Sequence, residues 1–255
     1  RQSGGDGAAV VGRFIFYNDS AFDGRTPGAS IHDDAAVAID KQPLLPERQA
    51  AFANYTSYTR GINGIMVDVL GLADPEHVTA ADFQFRTGNN SEPGSWQSAP
   101  SPQIVDVRQL AGASGVWRIT LIWPEAEAVR NQWLEVTVGA TPQTGLLQPD
   151  VFYFGNAVGE SGNKSTGEEP EAWVTEADEE AVHTHRTGIV PAAIANPYDF
   201  NRDRRVNSTD EMIARNNHRA GSEALQLIDL RQSGGDGAAV VGRFIFYNDS
   251  AFDGR

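Results

Sequence analysis

Apolar and polar residues alternate in short runs over much of the chain, from about residue 8 to residue 156. In one run the apolar residues take every second position: Trp117, Ile119, Leu121 and Trp123. This alternation indicates strands with one face in a core and one face towards solvent. The same pattern predicts strands over residues 10–17, 37–40, 50–55, 62–70, 82–87, 104–108, 134–138 and 150–154. About nine short strands separated by Gly, Pro and Asn turns predict an antiparallel β-sandwich over residues 1–155.

The pattern changes after Asn156. Residues 159–171 are polar, acidic and rich in glycine, and they predict a loop. Two helix-compatible stretches follow at residues 176–186 and 208–219. Residues 220–236 hold a short apolar patch and a Gly-Gly hinge, which is typical of a junction between modules. We therefore expect a small helical segment over residues 156–220 and a junction over residues 221–255. No βαβ pattern occurs, which argues against a Rossmann-type nucleotide-binding domain.

The chain contains its own beginning twice, because residues 1–25 recur without a change as residues 231–255. Solvent-facing positions of related repeats normally drift, so complete identity exceeds what a shared fold requires. The chain is either a segment of a long array of near-identical units, or it overlaps with the next unit of a filament. A single partial duplication of the gene is a third alternative. The first two indicate a polymer of modules in one dimension.

The repeated segment predicts a joint between units. Its apolar residues would form the first strand of the following sandwich, where an unpaired strand would expose an adhesive edge. The predicted joint residues are Val240, Val241, Phe244, Ile245, Phe246 and Tyr247.

Oxygen-bearing side chains are spaced as in a calcium loop over residues 199–210, directly before a predicted helix. Loop positions 1, 3, 5, 9 and 12 carry side-chain ligands and position 7 offers a backbone carbonyl, which wraps the chain around one hard cation. These positions are Asp199, Asn201, Asp203, Asn207 and Asp210, with Arg205 at position 7. An Asp at position 12 followed by one helix is the pattern of an F-hand in dockerins. Arg204 stands at position 6, where glycine is expected. A turn and helix cap without metal is the alternative.

A weaker copy of this motif lies upstream, since residues 174–178 match residues 206–210 around an apolar residue and a closing Asp. The first half is stretched by the acidic loop. Its candidate ligands are Asn156, Glu160 and Asp178. Whether this half binds metal is left open by the sequence.

Residues 10–70 and 150–217 resemble the C-terminal module of large exported planctomycete-type surface proteins. The resemblance is carried by VVGRFIFYNDSAFDG, FANYTSYTRGINGIMVDV, DVFYFGNAVGESGN and YDFNRDRRVNSTDEMIARNN. It implies a β-sandwich followed by a dockerin-like calcium segment, a place outside the cell or at its surface, and adhesion or surface assembly without catalysis. The tandem repetition departs from that family, in which the module commonly occurs once at a chain end.

The amino-acid composition limits the classes of partner and metal site that the chain can have. A formal net charge of −14 repels nucleic acid and anionic membranes and suits cation binding. Cysteine is absent, so disulfides and cysteine-based zinc sites are excluded. No apolar run is long enough to predict a membrane-inserted helix. We expect Ca²⁺ as the cofactor and identical neighbouring units as partners.

Two other classes of function compete with a structural fibre repeat. Trp96, in a Pro/Gly loop, or Tyr58 would be exposed if the sandwich bound carbohydrate, because an exposed ring can stack on a sugar. A buried plug over the end of the sandwich is the alternative for Trp96. No catalytic constellation stands out, so an enzyme is the weakest class.

Overall fold

The computed structural model of this protein describes residues 7–162 and 171–231. The strands are β1 (Ala9–Ile15), β2 (Tyr55–Thr56), β3 (Gly64–Leu70), β4 (Phe83–Gly88), β5 (Gln97–Ser98), β6 (Ile104–Gln109), β7 (Val116–Ile122), β8 (Trp133–Val138), β9 (Asp150–Asn156), β10 (Glu171–Ala172) and β11 (Leu225–Gln226). The α-helices are α1 (Glu176–Thr184) and α2 (Ser208–Asn216). Short 3-10 turns span Ile31–Ala36, Phe52–Asn54, Pro75–His77, Ala80–Asp82, Pro93–Ser95 and Gly221–Glu223.

Two larger sheets carry most of these strands. One sheet has the order β1-β3-β7-β6 and the other has the order β2-β9-β8-β4-β5. All neighbouring strands in them are antiparallel except β2 and β9, which pair in parallel over two residues. The chain is therefore mostly β, and this part of the predicted fold class is confirmed.

The main core lies between the two sheets. Alternate residues of β3 and β7 on one side, such as Val67 and Leu121, share one buried cluster with residues of β4, β8 and β9 on the other, such as Phe85 and Phe154. Burying each such side chain contributes roughly 1.5–3 kcal/mol relative to exposure. The alternation of the sequence thus arises because one face of each strand meets the opposite sheet.

The first copy of the repeated segment is an edge strand of this sandwich. β1 pairs with β3, and Ile15 lies opposite Ile65. Ile15 and Tyr17 belong to the main core, while Phe16 packs on the other face of the sheet against Met66. All three side chains from 15 to 17 are at most 2% exposed. The second copy, with the predicted joint residues Val240, Val241, Phe244, Ile245, Phe246 and Tyr247, lies outside the described residues.

Two predicted strands are wrong. Residues 37–40 form no strand, and only Val37 makes an isolated bridge, to Phe16. Within residues 50–55, a 3-10 turn at Phe52–Asn54 precedes the start of β2. Both segments bury single side chains such as Ala38 and Ala50. Their alternation reflects this partial burial and not a hydrogen-bonded ladder.

The last described residues return to the sandwich. β11 pairs with β10, and Leu225, Ile228 and Leu230 share a buried cluster with Trp133. The Trp133 indole N–H donates to the carbonyl of Gln226 at 2.8 Å. Residues 221–231 therefore contribute to the packing at this end of the sandwich.

Candidate metal centre

Asp199 organises the loop that precedes α2. Its carboxylate accepts two backbone N–H groups, Asp203 on Oδ1 at 3.1 Å and Arg204 on Oδ2 at 2.9 Å. The side chain is fully buried. A residue that binds the backbone four and five positions later closes the loop into a tight ring, and its remaining lone pairs stay available to a cation.

Asp210 closes the same loop from the helix side. Its Oδ1 accepts the N–H of Phe200 at 2.8 Å, and its Oδ2 accepts the N–H of Asn207 at 3.0 Å. The Asn207 side chain in turn accepts the N–H of Thr209 at 2.7 Å. This reciprocal arrangement is a capping box, and it explains why α2 begins at Ser208.

Asn201 and Asp203 lie between these two carboxylates in the sequence and bind each other. The Asn201 amide donates to Oδ2 of Asp203 at 3.0 Å, and its oxygen accepts the Asp203 N–H at 2.9 Å. Oδ1 of Asp203 accepts the N–H of Arg205, which is exposed. The loop thus connects the oxygen-bearing residues through hydrogen bonds.

Two residues of the loop adopt left-handed backbone conformations. Arg202 has φ 52° and Arg204 has φ 71°. The latter is loop position 6, where the sequence predicts that a residue other than glycine must accommodate the turn. Left-handed backbone costs a non-glycine residue roughly 1–2 kcal/mol, so contacts elsewhere in the loop offset this strain.

Apolar contacts hold the loop to the helices. Phe200 and Val206 are fully buried and share a cluster with Val182 of α1 and Ala214 of α2. Val206, at position 8, thereby anchors the loop. The loop backbone is fixed at both ends by this packing and not by hydrogen bonds alone.

The electrostatics of the loop favour a cation. The pKa of Asp199 is raised to about 7, mainly by burial and also by the negative charges of Asp210 and Asp203, while the positive charge of Arg202 opposes the rise. Burial also raises the pKa of Asp210. Ionising both carboxylates without a counter-charge therefore costs free energy. A hard cation such as Ca²⁺ would remove this cost, and an all-oxygen donor set matches its preference.

The carboxylates of the loop accept hydrogen bonds from backbone N–H groups. Across residues 7–162 and 171–231, no three His, Asp or Glu side chains converge closely enough to form a preformed metal cluster. Asp199, Asp203 and Asp210 each accept at least one backbone N–H. Coordination of a cation at this loop remains a prediction.

The upstream half of the motif repeats the geometry of the helix start. Oδ1 of Asp178 accepts the N–H of Ser161 at 2.9 Å, and Oδ2 accepts the N–H of Thr175 at 2.8 Å. Asp210 binds the residue after Asp199 in the same way. Glu160, which precedes Ser161, is thus the equivalent of Asp199.

Glu160 shares the buried character of its counterpart. It is 2% exposed, accepts the Tyr55 hydroxyl at 2.8 Å, and binds the Gly162 N–H at 2.7 Å. Burial is the main cause that raises its pKa to about 7. A buried carboxylate thus occupies position 1 in both halves.

Asn156 binds other parts of the chain than Glu160 and Asp178 do. Its amide donates to the carbonyls of Thr56 and Tyr58, and its oxygen accepts the N–H of Asn131 at 3.1 Å. These bonds join the end of β9 to the neighbouring chain segments. Of the three candidate ligands of the upstream half, Asn156 therefore binds within the sandwich, whereas Glu160 and Asp178 lie at the positions equivalent to Asp199 and Asp210.

Arg202 is a residue of this site that the sequence analysis did not identify. It is 2% exposed, although it carries a charge. Position 4 of a calcium loop has no ligand role, and the surrounding residues give no signal that its side chain turns inwards. Two of its partners, Tyr17 and Ser57, lie far away in the sequence.

The two aromatic residues that could have stacked on a carbohydrate are buried. Tyr58 is fully buried, and Trp96 is 7% exposed with its indole N–H bound to Asn90. Trp96 packs edge-on against Tyr153. Neither ring offers a flat exposed surface, and Trp96 acts as a plug over the sandwich.

In the part of the chain that is described, no helix is long and apolar enough to cross a membrane. No family model matches this chain, and neither a curated protein nor a solved structure matches it.

Proposed function

We propose that this chain is a non-catalytic structural repeat of an extracellular or cell-surface fibre, stabilised by calcium and assembled head to tail. One observation carries the proposal: residues 1–25 recur unchanged as residues 231–255, and the first copy is an integral strand of the sandwich. Because the second copy has the same sequence, it should favour the same strand position in a sandwich.

The second copy needs an equivalent position. Residues 15–17 of the first copy are buried, so the identical residues Ile245, Phe246 and Tyr247 would lose this burial if they stayed in water. The position on β3 is taken by the first copy. In an identical neighbouring unit the same position becomes open when that unit's own first copy leaves it, so the second copy would join by strand exchange between modules. Such a contact is heterologous, and it repeats into a fibre unless it closes into a ring.

Calcium has a structural role in this proposal. Asp199, Asn201, Asp203 and Asp210, with the Arg205 carbonyl and Asn207 or a water, would hold the ion. Glu160 and Asp178 form the corresponding half-site. The bound ion would neutralise the buried carboxylates and fix the segment between successive sandwiches, because the cation restricts the loop that carries it. Extracellular calcium modules bind with affinities that match the calcium levels outside cells.

A reciprocal pair of variants tests the joint. Phe246→Asp places a charge in the second copy, whereas Phe16→Asp places the same charge at the matching position of the first copy. The unchanged chain should form filaments in calcium, visible by electron microscopy and sedimentation. Phe246→Asp should remain folded but fail to assemble. Phe16→Asp should still assemble, because an intact second copy from a neighbour can replace the damaged strand.

The double variant Phe16→Asp/Phe246→Asp is the matched control, and it should lose the folded sandwich because neither copy can fill the position. Filaments of normal length from Phe246→Asp would contradict the proposal. A failure of the unchanged chain to assemble under any calcium concentration would also contradict it.

Carbohydrate binding is the second candidate function, and a polar groove supports it. Amide, hydroxyl and carboxylate groups line a groove between the sandwich and its last described residues: Gln49, Asn89, Asn90, Ser91, Glu171, Ser222, Gln226 and Asp229. Such groups can pair with sugar hydroxyls. A glycan array probed with the chain and with the Gln49→Ala variant tests this candidate. Binding that the variant loses would support it, and an array without hits would count against it.

A further inference from the structure

The loop of the candidate metal centre touches the repeated segment directly. Nη2 of Arg202 donates to the Tyr17 hydroxyl at 3.0 Å, and the guanidinium carbon lies 4.3 Å from the centroid of the Tyr17 ring. A guanidinium over an aromatic ring is attracted by the negative face of the ring. Both side chains are almost completely buried, which strengthens the contact because water is excluded.

Two further contacts join the same elements. The N–H of Ala21 donates to the carbonyl of Arg202 at 3.0 Å. The guanidinium of Arg204 lies 5.6 Å from the centroid of the Phe22 ring. All these partners lie within residues 17–22, and the same residue types recur at residues 247–252.

The loop sets the position of the Arg202 side chain. Its Nη1 donates to the backbone carbonyls of Asn196 and Asp199, and its backbone is left-handed. Its Nε has no hydrogen-bond partner among the described residues. A buried arginine with this incomplete set of partners depends on each bond that it makes. A change in the conformation of the loop around Asp199 therefore alters the contact with Tyr17 through the side chain of Arg202.

The repeated segment lies where it can be exchanged. β1 is at the edge of its sheet and pairs along its length with β3. Replacing an edge strand breaks one ladder and leaves the rest of the sheet intact. The opposite side of the segment is held by Tyr58 and Asn63, which both donate to the carbonyl of Asn18.

We infer that the loop at residues 199–205 is part of the acceptor surface for the repeated segment, and that Arg202 determines which segment it accepts. The partner is a second copy of this chain, which presents Tyr247, Ala251 and Phe252 in place of Tyr17, Ala21 and Phe22. This inference rests on the proposed function. Calcium at the loop would fix Arg202 in the orientation that holds the segment, so the ion would lock the joint.

A unique thiol reports on this contact. The chain has no cysteine, and Ser20 is 1% exposed within the contact region. In Ser20→Cys, the rate of labelling by a small thiol reagent measures how often the segment opens. Thr120→Cys, at a 2% exposed position of β7, is the matched control at a buried site in the sheet that contains β1. Both variants are made in the full chain, and calcium binding is measured by titration.

Chelation should accelerate labelling of Ser20→Cys by about tenfold and leave Thr120→Cys within about twofold. Tyr17→Phe removes only the hydroxyl that Arg202 binds and touches no candidate ligand. Added to Ser20→Cys, it should speed labelling in calcium while calcium affinity stays unchanged. Arg202→Met should also speed labelling in calcium, and it changes the charge beside Asp199 as well.

The outcomes separate the inference from the proposed function. Calcium binding without any change in Ser20→Cys labelling would overturn the inference and leave the fibre proposal standing. Absence of calcium binding would overturn both the metal centre and the lock. Calcium-dependent labelling in a chain that never assembles would overturn the neighbouring copy as the partner.

Discussion

Asp178 stands at the start of α1 as Asp210 stands at the start of α2. Each carboxylate accepts the N–H of the residue that caps its helix, Thr175 at 2.8 Å and Asn207 at 3.0 Å. The segments around the two helices also pair, because Val174 and Arg219 exchange backbone hydrogen bonds in both directions. The helical segment is therefore built from two similar halves, and only the second contains every oxygen-bearing residue type that the calcium-loop pattern predicts.

Asp210→Asn should abolish the stabilisation by calcium, because it removes the carboxylate that closes the loop. Loss of part of the cap should cost about 1 kcal/mol even without calcium. In the unchanged chain, adding calcium should raise the melting temperature by several degrees. Thermal melts in calcium and in chelator measure both effects.

Asp178→Asn is the matched control for this prediction. It weakens the equivalent cap of α1, so the melting temperature should fall in chelator by a similar amount. Its response to calcium should survive, since the loop at residues 199–210 is untouched. An equal loss of the calcium response in both variants would contradict the assignment of the second half as the stronger site.

Much of this architecture can be predicted from the sequence. Strands with a strict alternation, such as residues 117–123, appear within one residue as β7, because a core on one face imposes a period of two. The start of α2 follows from its capping residues. Residues 37–40 show a similar alternation but have no partner strand. Strand pairing depends on the whole sheet, so the local pattern cannot predict it. Arg202 could not be found, because its contact with Tyr17 joins residues far apart in the chain.

Calcium affinity should fall on acidification below about pH 7. The pKa of Asp199 is raised to about 7, and calcium needs the ionised carboxylate, so protons compete with the ion. Between pH 8 and pH 6 the affinity should fall by about tenfold for one such group. Calorimetric titrations at pH 6, 7 and 8 measure this change.

The metal-free protein should show the opposite trend. A carboxyl group with a raised pKa in the folded state contributes stability below its unfolded pKa, and this contribution is lost as the pH rises through about 7. Glu160, with its pKa of about 7, acts in the same direction. In chelator, the contribution of these two groups should therefore raise the melting temperature from pH 8 to pH 6. A melting temperature in chelator that does not rise from pH 8 to pH 6 would contradict this prediction, and a calcium affinity independent of pH would contradict the preceding one.

Gly64→Ala should destabilise the sandwich at the repeated segment. A Cβ at Gly64 would lie 2.5 Å from a carbon of the Phe16 ring, so Phe16 would have to move out of its buried position. Overpacking of this kind costs roughly 1–3 kcal/mol. Gly94→Ala is the control, because its Cβ would meet no atom within 4 Å. Urea denaturation of both variants should show a loss for Gly64→Ala alone, and equal midpoints would contradict the packing of Phe16.

Arg118→Met should be among the most destabilising single changes in the sandwich. Nε and Nη2 of Arg118 donate to the two carboxylate oxygens of Asp68, each at 2.7 Å, and both residues are less than a tenth exposed. Removing the arginine leaves the Asp68 carboxylate buried without its partner, which costs about 3 kcal/mol.

The double variant Asp68→Asn/Arg118→Met should recover much of this loss, since it removes the unpaired charge together with the arginine. Arg215→Met is the control for losing an arginine as such. Arg215 also pairs with a carboxylate, that of Glu179, but its side chain is 54% exposed, so solvent screens the pair and the loss should be small. Denaturant midpoints for the three variants decide the matter. If the double variant were less stable than Arg118→Met alone, the cost would arise from lost packing of the long arginine side chain and not from the uncompensated carboxylate.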